Sequence, residues 1–177
     1  MAAPTKTMTA AALRTVILAF IKAWNDHDVD AILAKVTPDV IWENPNLPGP
    51  VHVVHGGEAV AADLRAGFTA YPDLHMAMED LHVYSTNDPV VGFSTWTATG
   101  TMTGPMAGMA PTGKLFRIRG ACVYKFRDGL IAEHTMVYDG MDIARQIGLI
   151  PSENDFSFKM LAQVQRLTTK TRKVLHV

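Results

Sequence analysis

KLFRIRGACVYKFRDGLIAEHTMVYDGMDIARQIGLIP, from Lys114 to Pro151, is the stretch that decides the fold. Its pattern predicts a long strand, a tight turn at Arg127-Asp128-Gly129, a second strand over Leu130 to Tyr138 and a closing helix. Side chains alternate between the two faces of a strand, and in the first strand the even positions are apolar while the odd positions carry the charges. The even face of this strand is therefore predicted to be buried.

Composition sets the broad class. The chain has 177 residues, the length of one domain with a sizeable core. Its 16 Lys and Arg nearly balance 17 Asp and Glu, so no net field favours nucleic acid or an anionic membrane, and we expect a small neutral partner. The single cysteine, Cys122, excludes an intramolecular disulfide and a zinc site built on paired cysteines, which fits a cytoplasmic protein. The apolar run from Ala10 to Trp24 contains two basic residues and predicts a structural helix, not a signal peptide or membrane span.

Helices are predicted ahead of the long strands. Thr9 can cap the first, and Asp28 can cap a short second helix that extends through Val36. The third begins near Gly57, and Asp63 falls on its apolar stripe. A carboxylate on that stripe is unusual for a plain core, so Asp63 is a candidate functional residue.

The strands after the third helix are long and rich in aromatic or branched residues. Together with the helices they predict an α+β domain whose curved antiparallel sheet wraps against the helices. A short strand at Val40 to Trp42 precedes the third helix; the later strands are predicted at Leu74–Ser85, Val90–Met102, Lys114–Arg127 and Leu130–Tyr138.

Three segments are expected along the chain: a flexible N-terminus at 1–8, the domain at 9–151 and a C-terminal extension at 152–177. The extension has apolar residues at helical spacing and basic residues near its end, which predicts an amphipathic helix. A surface or dimer-packing helix is the favoured interpretation, and a membrane or nucleic-acid arm is the alternative.

The segment TGPMAGMAPTG, from Thr103 to Gly113, places Met106 and Met109 among glycines and prolines. Flexible apolar side chains on such a loop suit a lid over an apolar cavity. The alternative is that both methionines simply close the open end of the core.

Several stretches, taken in order, resemble the SnoaL-like polyketide cyclases and ester cyclases of the nuclear transport factor 2-like superfamily. The resemblance covers Leu13 to Pro151. It implies a cone of bent antiparallel sheet, closed by helices around a deep apolar pocket and usually assembled as a homodimer. The matching stretches are AWNDHDVDAILAKVTPDVIWENP (23–45), HGGEAVAADLRAGFTAYPDLHMAMEDL (55–81), GTMTGPMAGMAPTGKLFRIRG (100–120), YKFRDGLIAEH (124–134) and DIARQIGLIP (142–151).

The register of the hairpin determines which residues face each other. A three-residue loop with Gly129 in the left-handed conformation places His134 opposite Cys122, Met136 opposite Gly120 and Tyr138 opposite Ile118. A two-residue Asp-Gly turn would instead place His134 beside Val123. The apolar even face favours the three-residue loop.

The resemblance also implies a catalytic residue. In the aldol-type cyclases of this family, an aspartate eight residues after the turn aspartate serves as general acid and base, and here that position is Met136. A thioether has no proton to exchange at neutral pH, so that role does not carry over to Met136. The two positions on the facing strand that usually hold assisting residues are occupied here by Gly120 and Cys122.

His134 and Asp63 are the remaining candidates for acid/base chemistry. His134 matches a pocket position of the family and titrates near neutral pH, and Asp63 could orient or charge it. The structural alternatives are that His134 is a satisfied core residue, that Asp63 pairs with a nearby arginine, and that Cys122 is inert packing rather than a nucleophile. Residues expected to contact substrate are Trp24, Trp42, Asn44, Met106, Met109, Cys122, Tyr124, Met136 and Tyr138.

No HExxH motif, phosphate-binding glycine loop or Gly-x-Ser-x-Gly elbow occurs, so neither a metal nor another cofactor is expected. Two functions remain open. The first is a cofactor-independent enzyme that cyclises, isomerises, hydrates or hydrolyses a small hydrophobic cyclic substrate. The second is a binding module that holds an apolar molecule without transforming it.

Overall fold

The computed structural model describes residues 9–45, 52–84, 89–150 and Met160. It confirms the predicted α+β class. The helices within these residues are α1 (Ala10–Asn25), α2 (Val29–Leu33), α3 (Gly57–Ala70) and α4 (Gly140–Gln146). The strands are β1 (Val36–Glu43), β2 (Val53–His55), β3 (His75–Tyr84), β4 (Val90–Thr101), β5 (Leu115–Arg127) and β6 (Leu130–Tyr138).

The described strands form one curled sheet in the order β2-β1-β6-β5-β4-β3. Neighbouring strands pair antiparallel except β1 and β6, which run parallel. The sheet is therefore mixed and not purely antiparallel as predicted. The parallel pairing of β1 with β6 places Trp42 directly beside His134. The candidate site depends on this contact.

Both predicted caps are present: Thr9 accepts a bond from the backbone of Ala12 at 3.2 Å, and Asp28 from that of Ala31 at 2.9 Å. The predicted end of the second helix at Val36 is wrong. The helix ends at Leu33, and Val36 is the first residue of β1. Pro38 disfavours helical backbone in the residue before it, and pairing with β6 buries Val36.

The predicted register of the β5–β6 hairpin is wrong, although its buried face is right. The turn has two residues, Asp128 and Gly129, both with positive φ, and it pairs Arg127 with Leu130. A bulge at Ala132 then shifts the ladder by one residue. His134 consequently lies opposite Tyr124, Met136 opposite Cys122 and Tyr138 opposite Gly120, instead of the predicted partners Cys122, Gly120 and Ile118.

A two-residue turn alone would put the even positions of β5 opposite odd positions of β6. The bulge adds one residue and restores even against even, so both strands can bury an apolar face. The buried side chains of β5 are Phe116, Ile118, Cys122, Tyr124 and Phe126.

The core lies between the helices and the concave face of the sheet. Helix α1 buries the predicted stripe, including Ile17, Phe20 and Trp24. Gly92 on β4 allows α1 to approach closely, because a Cβ at this position would lie 2.7 Å from Cδ1 of Ile17. The ring of Phe20 on α1 contacts rings on β1, β5 and β6, those of Trp42, Tyr124 and His134.

The segment between β4 and β5 is anchored to the end of α3. The backbone N–H groups of Thr103 and Gly104 both donate to the carbonyl of Ala70, each at 3.1 Å. A Cβ at Gly104 would lie 1.9 Å from the carbonyl oxygen of Thr69, so glycine is required for this contact. Met106 packs against the core and pairs with Met109, which is 37% exposed.

Residues 1–8 and the predicted C-terminal helix lie outside the described residues, apart from Met160. Among the helices that are described, none has the length and apolar character needed to cross a membrane.

Candidate functional site

The carboxylate of Asp63 is held by Trp42 of strand β1 and by Asn44, the residue that follows the strand. Trp42 and Asn44 are two residues apart, on either side of Glu43, and both side chains are buried. The indole Nε1 of Trp42 donates to Oδ2 of Asp63 at 3.2 Å, and Nδ2 of Asn44 donates to the same oxygen at 3.1 Å. The sequence predicted that Asp63 lies on the apolar stripe of α3, and the structure shows that its carboxylate meets Trp42 and Asn44 there.

Asn44 is itself fixed by a third residue. The hydroxyl of Tyr138, at the end of β6, donates to Oδ1 of Asn44 at 2.6 Å. The backbone N–H of Asn44 donates to the carbonyl of His52 at 3.0 Å, which anchors the end of β1. A chain of hydrogen bonds thus runs from Tyr138 through Asn44 to Asp63, and we call these three residues with Trp42 the Asp63 cluster.

Burial raises the pKa of Asp63 above its ordinary value of 3.8, because a charged carboxylate is poorly solvated between α3 and the sheet. The hydrogen bonds from Asn44 and Trp42 act in the opposite direction, since they stabilise the charged form. No arginine contributes to this shift among the described residues, and the predicted alternative of an Asp63–arginine pair is wrong. Arg119 pairs instead with Glu79 at 2.6 Å.

His134 lies in the middle of a row of rings on three adjacent strands. Trp42 of β1 and Tyr124 of β5 are its neighbours in the sheet, with ring centroids 4.2 and 5.2 Å from the imidazole. Phe20 of α1 covers the row, with its centroid 5.3 Å from that of His134. The side chain of His134 is 1% exposed.

This environment lowers the pKa of His134 from 6.5 to about 3, because burial disfavours the imidazolium. Neither ring nitrogen has a hydrogen-bond partner among the described residues. The prediction that His134 titrates near neutral pH is therefore wrong, and the ring is uncharged at neutral pH.

Asp63 and His134 do not contact each other through a hydrogen bond. Both touch Trp42, His134 with its ring and Asp63 at the indole nitrogen. The expectation that Asp63 orients or charges His134 is wrong, because the donors to Asp63 are Trp42 and Asn44 instead. Trp42 links the two candidates.

Further aromatic residues surround this pair. Trp24 stacks on Trp42 with ring centroids 6.2 Å apart and also meets Phe68 edge-on. The indole nitrogen of Trp24 is buried and has no partner among the described residues. Tyr124 shares a hydrogen bond with Ser94 at 3.1 Å. The described interior beside Asp63 is therefore aromatic and mostly apolar.

The chain matches the sequence profile of the SnoaL-like polyketide cyclases over residues 14–147, which includes most of α1 and the whole hairpin that carries His134. It belongs to the SnoaL-like polyketide cyclase family. No curated protein matches this SnoaL-like chain.

Solved structures share the fold of this SnoaL-like chain. AclR from Streptomyces galilaeus, a candidate hydroxylase, has a TM-score of 0.68 at 21% identity, covering 93% of this chain and 98% of its own. TsrD from Streptomyces laurentii has a TM-score of 0.67 at 24% identity, covering 81% and 99%. A candidate SnoaL-like polyketide cyclase from Jannaschia sp. CCS1 has a TM-score of 0.68 at 19% identity, covering 85% and 99%.

The position at which the SnoaL-like resemblance places the catalytic aspartate is Met136, which is buried opposite Cys122. Cys122 accepts a hydrogen bond from Nε1 of Trp96 at 3.1 Å, and burial raises the pKa of its thiol to about 11. Gly120 leaves room that the Trp96 ring fills, since a Cβ there would lie 2.4 Å from that ring. These three positions form a packed, uncharged layer in this SnoaL-like chain.

No group of three or more metal-binding side chains occurs in the described part of the SnoaL-like chain. Sequence reasoning missed strand β2 and the role of Trp96. An aromatic residue on the strand next to Gly120 was a usable signal for Trp96, because such a ring commonly covers a glycine in the adjacent strand.

Proposed function

We propose that this chain is a cofactor-independent enzyme that uses Asp63 as general acid and base on a small hydrophobic cyclic substrate. The observation that carries the proposal is the Asp63 carboxyl group, held at one oxygen by Trp42 and Asn44 beside an aromatic interior. Cyclisation, isomerisation, hydration or hydrolysis are the reaction types that such a group supports.

The chemistry needs a carboxylate that accepts a proton and then returns it. Asp63 would take a proton from an activated carbon, and the resulting carboxylic acid would protonate an oxygen of the product. The raised pKa of Asp63 supports this role, because it brings the pKa of the acid closer to a neutral working pH. Cyclisation and isomerisation by this route need no oxidant or reductant, and hydration and hydrolysis add one water.

His134 is the second acid/base candidate, and we rank it behind Asp63. A conjugate acid with a pKa of about 3 makes imidazole a weak base, and complete burial separates it from bulk proton donors. Its contact with Trp42 favours a role in holding the indole that binds Asp63.

The aromatic residues proposed to contact substrate are Trp24, Trp42, Tyr124 and Tyr138, with Met106 and Met109 on the loop beside α3. Planar rings offer stacking surfaces to a cyclic ligand.

In keeping with the family resemblance, we also propose a homodimer in the cytoplasm; a monomeric mass in solution would contradict the dimer.

A ligand-binding module without catalysis is the alternative function. Met136 favours it, because the position expected to hold the family's catalytic aspartate is a buried thioether. The uncharged His134 favours it as well.

The two functions are separated by incubating the protein with a panel of polyketide, terpenoid and steroid-like compounds. The enzyme proposal predicts that at least one compound is consumed, and that Asp63→Asn slows its turnover by about 100-fold or more. Asp73→Asn is the matched control, since Asp73 binds Thr101 outside the Asp63 cluster and should leave turnover unchanged. A rise in melting temperature with no compound consumed would support the binding module instead.

A further inference from the structure

The two oxygens of the Asp63 carboxyl group have different surroundings. Oδ2 accepts both hydrogen bonds, one from Trp42 and one from Asn44. No described residue donates to Oδ1. The carboxyl group is therefore asymmetric before any substrate binds.

The chemistry of the two donors determines what Oδ2 can do. An indole Nε1–H is a donor in every state, so the atom facing Trp42 must remain an acceptor. A proton on Oδ2 would make that oxygen an O–H donor facing the N–H donors of Trp42 and Asn44. The amide of Asn44 is fixed in the same sense, because Tyr138 donates to its oxygen and leaves its NH2 group facing Asp63.

We infer that Asp63 exchanges its proton through Oδ1 alone, and that Trp42 and Asn44 are positioning residues that reserve Oδ2 as an acceptor. This inference rests on the proposed function, since it names the atom of Asp63 that meets the substrate. It also changes the roles expected for Trp42 and Asn44. The indole nitrogen of Trp42 and Nδ2 of Asn44 donate to Asp63, while the Asn44 oxygen accepts from Tyr138.

The surroundings of Asp63 support this assignment. Trp42 of β1 and the following residue Asn44 face it, and the physical causes acting on the carboxyl group are burial and these two donors. No charged side chain of the described residues contributes to its pKa. A change in the protonation state of Asp63 should therefore alter its hydrogen bonds with Trp42 and Asn44.

The three tryptophans of the chain provide the test, since each gives one indole N–H signal in an NMR spectrum. Trp96 donates to Cys122, so it serves as an internal control that is hydrogen-bonded but remote from Asp63. Asp63→Asn mimics the neutral acid and can still offer an oxygen to Trp42 and Asn44. Asp63→Ala removes the acceptor.

We expect the indole N–H of Trp42 to stay protected from solvent exchange in wild type and Asp63→Asn at pH 7, and to lose protection in Asp63→Ala. The Trp96 signal should be the same in all three proteins. Equal loss of Trp42 protection in Asp63→Asn and Asp63→Ala would overturn the inference, because the neutral side chain would then not keep an acceptor at Oδ2.

A titration of the wild-type protein gives a second, variant-free test. The Trp42 indole signal should shift with the same midpoint as the Asp63 carboxyl carbon and remain protected at both ends of the titration. A Trp42 signal that does not follow Asp63 would contradict the inference. Neither experiment uses substrate, so unchanged turnover in Asp63→Asn would reject the proposed function while leaving these results intact.

Discussion

The indole Nε1 of Trp42 donates to Oδ2 of Asp63 over 3.2 Å, and the same indole ring lies 4.2 Å, centroid to centroid, from His134. One residue of the short strand β1 thus joins a carboxyl group on α3 to a histidine on β6. The two acid/base candidates are separated by a ring and have opposite pKa shifts. Burial raises the pKa of Asp63 and lowers that of His134, because it disfavours the charged form of both.

Asp63→Asn is expected to raise the melting temperature at pH 7. A carboxyl group whose pKa is raised on folding binds more protons in the native state, so its contribution to stability falls as pH rises through the folded pKa. The uncharged asparagine removes this fall and keeps an acceptor for Trp42 and Asn44. Thermal unfolding between pH 4 and pH 8 measures the effect.

Asp73→Asn is the control of opposite sign. Hydrogen bonds from Thr101 lower the pKa of Asp73, so its charged form stabilises the native state at neutral pH and this variant should melt lower. A lower melting temperature for Asp63→Asn at pH 7 would contradict the burial argument for Asp63.

His134→Phe is expected to remove a pH dependence of stability. A folded pKa of about 3, against an ordinary 6.5, means that the unfolded state binds a proton that the native state does not. The free energy of unfolding therefore falls by about 2 kcal/mol from pH 6.5 to pH 5, with a limiting slope of about 1.4 kcal/mol for each pH unit. Phenylalanine does not titrate, so this slope should vanish from denaturant unfolding curves.

At pH 7, His134→Phe should be as stable as the wild type or more stable, because two buried nitrogens without partners are replaced by carbon. A drop of several kcal/mol at this pH would show that the imidazole nitrogens are satisfied in solution.

Gly104→Ala should destabilise the protein by about 1–3 kcal/mol, because the new Cβ meets the carbonyl oxygen of Thr69 at 1.9 Å and backbone cannot move aside cheaply. The matched control is Gly67→Ala in the interior of α3, where a Cβ meets nothing within 4 Å. That change should stabilise by about 0.5–1 kcal/mol through helix propensity. Equal effects of the two substitutions on chemical denaturation would argue against the anchoring of this loop.

Cys122 should react very slowly with a thiol reagent in the native protein at pH 8. Its side chain is 1% exposed, and burial raises its pKa to about 11, so the thiolate is scarce. Labelling should become fast and complete in denaturant, where the thiol regains its ordinary acidity. Rapid labelling of the folded protein would mean that the packing of Trp96 and Met136 around Cys122 opens readily.

Local pattern predicted much of the fold. The caps at Thr9 and Asp28, the stripe of α1, the inward position of Asp63 and the buried even face of β5 all depend on side-chain periodicity within one element. These features were predictable because burial and periodicity agree over a short stretch.

The contacts that define the site depend on longer-range geometry. The bulge at Ala132 arises from matching two strands and not from a turn signal, so the sequence pattern predicts Cys122 opposite His134 where the structure has Tyr124. The parallel pairing of β1 with β6 places Trp42 beside His134, although the two residues are 92 positions apart in the sequence. The pKa of His134 follows from that aromatic surrounding, which no spacing in the sequence reveals.

The pH dependence of kcat/KM tests the central claim, that Asp63 is the acid/base, most directly. It is measured on a compound that the protein consumes, in the wild type, Asp63→Asn and His134→Phe. The account predicts that the pH profile of the wild type has a limb whose midpoint lies above the ordinary aspartate pKa of 3.8. His134→Phe should retain this limb. Asp63→Asn should be strongly impaired and should lack it. A limb that persists in Asp63→Asn and disappears in His134→Phe would contradict it.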